Sequence, residues 1–190
     1  MTQTSERSSV DGDFETDADV EIDVDVSKMS SDELIAHNLK VVEAHFHNET
    51  PETVDKAIAL YGPDIVWEAP FRGMVYTDPA EIREAYMAIF RTVHYNKTTT
   101  LRRYATETFV FDDQIADLTV VGDEMPNLGF TKGDRISMRL VRLFEMSNGK
   151  IVREIAYEMS REYQSPRDND FIPDDAIVEE FPDGPHCGQW

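Results

Sequence analysis

The chain has 190 residues, 41% of them hydrophobic, with 38 Asp and Glu against 18 Lys and Arg and a formal net charge of −20. That length suits one domain with a real core rather than two, and that charge repels nucleic acid and anionic membrane surfaces, so neither is expected as a partner. Cys187 is the single cysteine, which excludes an intrachain disulfide and a cysteine-based zinc set and makes a reducing cytoplasm the expected location. Residues 1–28 form a polar arm, and residues 11–25 alone hold eight acids and no base. They are expected to be a solvated, disordered arm. Val20, Ile22, Val24 and Val26 alternate with acids, which leaves a short edge strand as the alternative. No apolar stretch follows Met1–Val10, so no signal peptide is expected, and no run approaches the ~18 apolar residues of a membrane span.

The folded part is expected over 29–163. Ser30 followed by Glu33 is a capping box, and Leu34, Ile35, Leu39, Val42 and Phe46 recur at helical spacing, so a helix runs to about His47. Asn48-Glu49-Thr50-Pro51 breaks it. Thr50 can cap a second helix with Pro51 at its first position and Val54, Ala57, Ile58 and Tyr61 on its apolar face, stopped by Gly62-Pro63. Ile65–Ala69 suits a short strand. Phe71–Thr77 is a loop with a candidate strand at Met74–Tyr76, and Asp78-Pro79 opens a third helix with Ile82, Tyr86, Ile89 and Phe90 on its face.

From Thr98 the pattern changes. Thr98–Phe111, Gln114–Val121, Arg135–Met146 and Lys150–Met159 are β-rich, with Asp112-Asp113 and Asn148-Gly149 as two-residue turns. Residues 122–133 link the hairpins, either as a mobile lid around Met125–Phe130 or as a plain surface loop. Residues 164–190 form a polar tail in which Phe171-Ile172, Ile177-Val178 and Phe181 can drape over the domain. Helices first and antiparallel strands after make the class α+β.

The run AIALYGPDIVWEAPFRG at 57–73, the helix opened by Asp78-Pro79 and the GKIV hairpin at 149–152 together resemble the SnoaL-like (NTF2-like) superfamily. The resemblance covers about residues 31–163. It implies a cone-shaped, curved antiparallel sheet wrapped around three N-terminal helices, with a deep apolar pocket for a small hydrophobic molecule, and often a homodimer. It specifies the fold better than the function, since such members include dehydratases, isomerases, epoxide hydrolases, cyclases and non-catalytic binding domains.

Several of the family's acids are replaced. Ala69 stands where isomerase-like members carry an aspartate base, Val141 where they carry a second acid, and Ala156 where cyclases and limonene-epoxide hydrolases carry an aspartate. What survives resembles the dehydrochlorinase- and scytalone-dehydratase-like members, which place a histidine where the third helix meets the first long strand. Here that histidine is His94, with His45, His47 and Glu49 at the end of the first helix as its candidate partners. His45 and His47 cannot face the same way on a helix, and His47 is the one expected in the pocket.

If Asn148-Gly149 is a simple two-residue turn, Leu143 opposes Glu154, Val141 opposes Ala156 and Arg139 opposes Glu158 on one face. Carrying over the family's pocket face puts Tyr104, Asp117, Thr119, Arg139, Glu154 and Glu158 toward the cavity. The opposite face, with Ala116, Leu118, Val120, Met138, Leu140, Phe144, Ile155 and Tyr157, is the more apolar, and pattern alone would make it the core. A homodimer reconciles the two, because an outer face buried against a second copy is also apolar.

The implied activity is a cofactor-independent lyase or dehydratase acting on an aromatic or alicyclic substrate. His94 takes a proton, Glu49 or His47 orients it, Arg139 and Tyr104 steady negative charge, and Glu154 returns a proton. Trp67 and Phe71 are expected near the pocket mouth. The alternative is a non-catalytic binding or scaffold member. Neither a Gly-rich phosphate loop nor a spacing for metal ligands is present in the sequence, so no nucleotide cofactor or metal is expected.

Overall fold

The capping box at Ser30 closes as expected. The Ser30 hydroxyl accepts from the Glu33 N–H and the Glu33 carboxylate accepts from the Ser30 N–H, starting α1 (Ser31–His47). In this computed structural model residues 20, 24–165 and 170–181 are described. Most of the acidic arm and residues 166–169 and 182–190, Cys187 included, lie outside those residues; of the alternative edge strand only residues 21–23 do, and its described end at Val24–Val26 is not a strand. Residues Val26–Lys28 form one 3-10 turn.

After α1 come α2 (Val54–Ala59), β1 (Tyr61–Ala69), a 3-10 turn (Pro70–Arg72), β2 (Met74–Tyr76) and α3 (Pro79–Thr92). The long strands β3 (Val93–Ala105), β4 (Phe109–Val120), β5 (Arg135–Ser147) and β6 (Lys150–Glu162) follow. Thr53, not Thr50, sits at the N-cap of α2, because Pro51 to Thr53 spend themselves in a turn in which the Thr53 N–H donates to the Thr50 hydroxyl. α3 is capped by the Asp78 carboxylate and runs straight into β3. The strands form one open sheet in the order β2-β1-β6-β5-β4-β3-β7, where β7 (Ile177–Glu180) comes from the tail. The tail thus returns to the domain: β7 pairs with β3 and Phe181 is buried. All pairings are antiparallel except β1 with β6, which is parallel. The three helices cover one face of this sheet, and the core between holds Phe46, Trp67, Ile82, Leu118, Ile136 and Phe144. Among the described residues no helix is long and apolar enough to cross a membrane.

Two register details depart from expectation and decide which side chains face inward. Asp112-Asp113 is not a turn; the chain reverses at residues 106–108 and both aspartates are buried within β4. Each is held there by arginine: Asp112 by Arg103, and Asp113 by Arg102 and Arg139. Asn148-Gly149 is a turn, with φ of 51° and 73° at the two central residues. Beyond it a β-bulge intervenes, since Met146 pairs with Ile151 but Glu145 pairs with Arg153. Val152 is the extra residue. From there on β6 is shifted by one, so Glu154 opposes Phe144, Ala156 opposes Arg142 and Glu158 opposes Leu140.

Candidate active site

The bulge brings acids of β6 onto the apolar face of β5, under the helices. Glu154, Tyr61 of β1, Tyr86 of α3, Arg142 of β5, and His45 and Glu49 at the end of α1 meet there, and all six are buried. The helix end is shaped by Asn48, whose backbone N–H and side-chain amide both donate to the Ala44 carbonyl. The chain turns tightly enough that Glu49 folds back beside His45, four residues earlier.

His45 is fully enclosed and both its ring nitrogens face acceptors. Nδ1 lies 3.3 Å from the Ala57 carbonyl, and Nε2 lies 3.1 Å from Glu49 Oε1 and 3.2 Å from Glu154 Oε2. Only an imidazolium can donate to both sides. Burial works against its charge, but the attraction and hydrogen bonds of Glu154 and Glu49 outweigh burial and push the pKa up from 6.5 to about 9. For Glu154, burial would raise the carboxyl. The charges of His45 and Arg142 and the bond from Tyr61 prevail, holding it below the usual carboxylate range.

The two Glu154 oxygens are not equivalent. Oε2 accepts from Tyr61 at 2.6 Å, from His45 and from Tyr86 at 3.2 Å, whereas Oε1 has Tyr86 at 3.2 Å and Arg142 only at 3.9 Å. Burial and the nearby Glu154 charge push both phenols well above their ordinary range, so they stay neutral donors. The Tyr86 hydroxyl also lies 3.1 Å from His45 Nε2. Arg142 pairs with Glu49 and packs its guanidinium 3.7 Å from the centre of the Phe46 ring.

Beside this cluster lies a cavity of about 20 Å³, lined on its polar side by Glu49, Tyr86, Arg142, Glu154, Arg72 and Glu158. Trp67, Ile89, Phe90, Tyr95, Leu140 and Ala156 supply its apolar wall. Arg72, from the 3-10 turn, reaches Glu158 at 2.9 Å and stacks 5.3 Å from the Trp67 ring centre. His45 and Tyr61 stand behind the cavity wall and touch it through Glu154 and Tyr86. His45, Glu49 and Glu154 also place one ligand atom each within 4.8 Å of one another, the kind of donor set that can converge on a cation. Arg142 and the two phenols already take up the carboxylate oxygens on that side.

Of the residues expected from sequence to form the site, Glu49, Glu154, Trp67, Ala156 and Glu158 are brought together at the cavity. Ala69 is buried in the core beside it. His94 is elsewhere. Its neighbour Tyr95 lines the cavity, so strand alternation turns His94 outward, into a cleft of about 260 Å³ shared with Asp117, Arg135, Glu180 and Phe181. Asp117 is engaged there by Arg135, whose Nε donates at 2.8 Å. His47 is half-buried, with Nδ1 at 3.1 Å from the Glu43 carbonyl; the helical 100° step sends His45 inward instead. Arg139 is on the outer face, bound to Asp113 and Asp170, and Val141 is half-buried beside it, because the bulge takes their expected partners to the other side. Tyr104 is exposed and stacked on Phe111, and Phe71 is exposed as well. The loop 122–133 packs Met125 and Leu128 into the core, and its Asn127 amide donates to the Phe71 carbonyl.

Tyr61, Tyr86, Arg72 and Arg142 were not expected in the site. For Arg142 a signal exists: it is the one charge in the alternating apolar row Ile136, Met138, Leu140, Phe144, Met146.

Residues 42–154 match the model of a family described as SnoaL-like domain. A search of curated proteins finds no match. Among solved structures, a protein provisionally assigned as a polyketide cyclase from Silicibacter sp. TM1040 superposes with a TM-score of 0.55 at 11% identity, over 66% of this chain and 90% of that one. A protein provisionally assigned as a SnoaL-like polyketide cyclase from Shewanella putrefaciens CN-32 gives 0.54 at 12%, over 64% and 88%. An LEH-like epoxide hydrolase of M. tuberculosis gives 0.50 at 17%, over 66% and 84%. At these identities the likeness is one of fold.

Proposed function

The chain belongs to the SnoaL-like domain family, and from that premise we propose that it is a lyase- or isomerase-type enzyme that moves protons on a small hydrophobic, aromatic or alicyclic molecule inside the cone. One observation supports this above others: a complete acid–base set is buried beside a cavity, with every proton donor and acceptor supplied by the chain itself. Glu154 is ionised and presents its less engaged Oε1, which takes the proton from a substrate carbon. The electron pair moves toward a substrate oxygen or leaving group, which receives the Tyr86 proton. Glu154 Oε1–H then restores Tyr86 across their 3.2 Å contact, while the His45 imidazolium stays paired with Oε2. Substrate and protein end with the same number of protons they began with, and Arg142 offsets negative charge throughout. His94, His47, Arg139 and Tyr104 take no part. The homodimer expected from the two-sided hydrophobicity belongs to the same proposal, with Tyr157 and Met159 exposed on the outer sheet face as its contact.

A cavity of about 20 Å³ admits roughly one water molecule. Substrate entry therefore requires the lining to open, and Arg72, carried by a 3-10 turn, is one part of it outside the long strands and helices. This small volume also favours the second reading, a binding member without chemistry, and one experiment separates the two. Ring opening of 5-nitrobenzisoxazole begins with abstraction of a carbon-bound proton and is followed by absorbance. The protein should accelerate it, Glu154→Gln should lower the rate by about 10²–10⁴, and His94→Ala should leave it unchanged. No acceleration, or full activity in Glu154→Gln, leaves the binding role.

A further inference from the structure

Resting on the same cavity, we infer that its ligand is a neutral carbonyl compound whose oxygen is read by the indole N–H of Trp67 and the Nε–H groups of Arg72 and Arg142. These three side chains are at most 5% exposed, and all three line the cavity. Among the described residues Trp67 Nε1, Arg72 Nε and Arg142 Nε have no hydrogen-bond acceptor, although the other ends of both arginines are paired. A buried donor without a partner is costly, and a group of them in one small cavity wall calls for an acceptor from outside the chain. The three are donors only, so the ligand atom that meets them is an acceptor, and a carbonyl oxygen meets them with its lone pairs while bringing no O–H or N–H that needs a partner of its own.

Charge decides between a carbonyl and a carboxylate. Arg72, Arg142 and protonated His45 are already matched by Glu49, Glu154 and Glu158. A ligand carboxylate would bury a fourth negative charge against three positive ones among buried side chains, whereas a neutral oxygen leaves the balance intact. The chemistry agrees. Glu154, saturated with donors on Oε2, is a weak base, so it removes a proton only from an activated carbon, and a position beside a carbonyl is one such carbon. The apolar wall of Ile89, Phe90, Tyr95 and Leu140 suits the hydrocarbon part of such a molecule.

The test uses binding and not turnover, so it stands or falls independently of the proposed catalysis. In the full chain labelled with ¹⁵N, the indole N–H signals of Trp67 and Trp190 are told apart with Trp67→Phe. Acetophenone, ethylbenzene and benzoate are titrated in turn. Acetophenone should move the Trp67 signal downfield and saturate, ethylbenzene of the same shape should give no downfield movement, and benzoate should bind at least tenfold more weakly than acetophenone. Arg72→Lys, which keeps the charge and loses the Nε donor, should weaken acetophenone severalfold without changing the fold of the spectrum. An equal response to ethylbenzene, a preference for benzoate, or no saturable response to acetophenone overturns the inference. Binding of acetophenone with no proton-transfer activity would leave it standing while removing the catalytic proposal.

Discussion

Replacing Arg142 by leucine should destabilise the protein by about 3–5 kcal/mol, the range for removing one partner of a buried ion pair. Arg142 is 5% exposed and pairs with Glu49, and its charge also acts on Glu154 and Asp112. Without it three carboxylates keep burial but lose a shared cation. Asp112 shows the tension already: burial lifts its pKa, and Arg103 and Arg142 draw it partway back. Leucine fills much of the same apolar volume against Phe46, so the loss reports charge rather than a cavity. Urea unfolding measures it. The double variant Arg142→Leu with Glu49→Leu should recover part of the loss, because it removes one of the stranded charges along with the cation. A single-variant loss below about 1 kcal/mol, typical of an exposed pair, would mean that the cluster is open to water.

The second large effect is a loss of stability in mild alkali. His45 has a pKa of 6.5 when unfolded and about 9 when folded. A raised pKa stabilises the folded state fully below 6.5, and the contribution declines as pH rises and is gone above about 9. At 1.36 kcal/mol per pH unit the change is about 3 kcal/mol. Glu154 does not mask it: its lowered pKa stabilises above 4.5 and is lost only as pH falls below that. Glu179 of β7, lifted to about 7 by burial and by Glu43, loses its favourable protonated form mostly below pH 7. Among the described residues the window from pH 7 to 9 therefore belongs to His45. Urea midpoints of the wild type should fall across that window, and those of His45→Gln should stay flat. A flat wild-type profile would mean that His45 is neutral in the folded protein.

Much of the fold is legible in the residues. The Ser30 capping box, the Asp78-Pro79 start, the Asn148-Gly149 turn and the apolar periodicities place three helices and the long strands, because each signal is local and its geometry follows from one or two residues. The site is less legible because it depends on register. The bulge at Val152 has no glycine to announce it, yet it exchanges the inward face of β6 and joins Glu154, Ala156 and Glu158 to the row holding Arg142. Tyr86 and Tyr61 follow helical or strand spacing like any core residue, and nothing local says that their hydroxyls meet a carboxylate. The choice between His45 and His47 needed the helix rotation relative to α2, where the Ala57 carbonyl receives the His45 ring. Asp112-Asp113 resembles a turn in isolation, and only arginines from β3 and β5 keep it in a strand.

The claim underneath these effects is that His45 sits in the cone as an imidazolium between two carboxylates. Its ring ¹⁵N shifts, assigned against His45→Gln and followed from pH 6 to 10, test this directly. The expected result is two protonated ring nitrogens at pH 7.5 and a midpoint near 9. A neutral ring at pH 7.5, or a midpoint at or below 6.5, would contradict it.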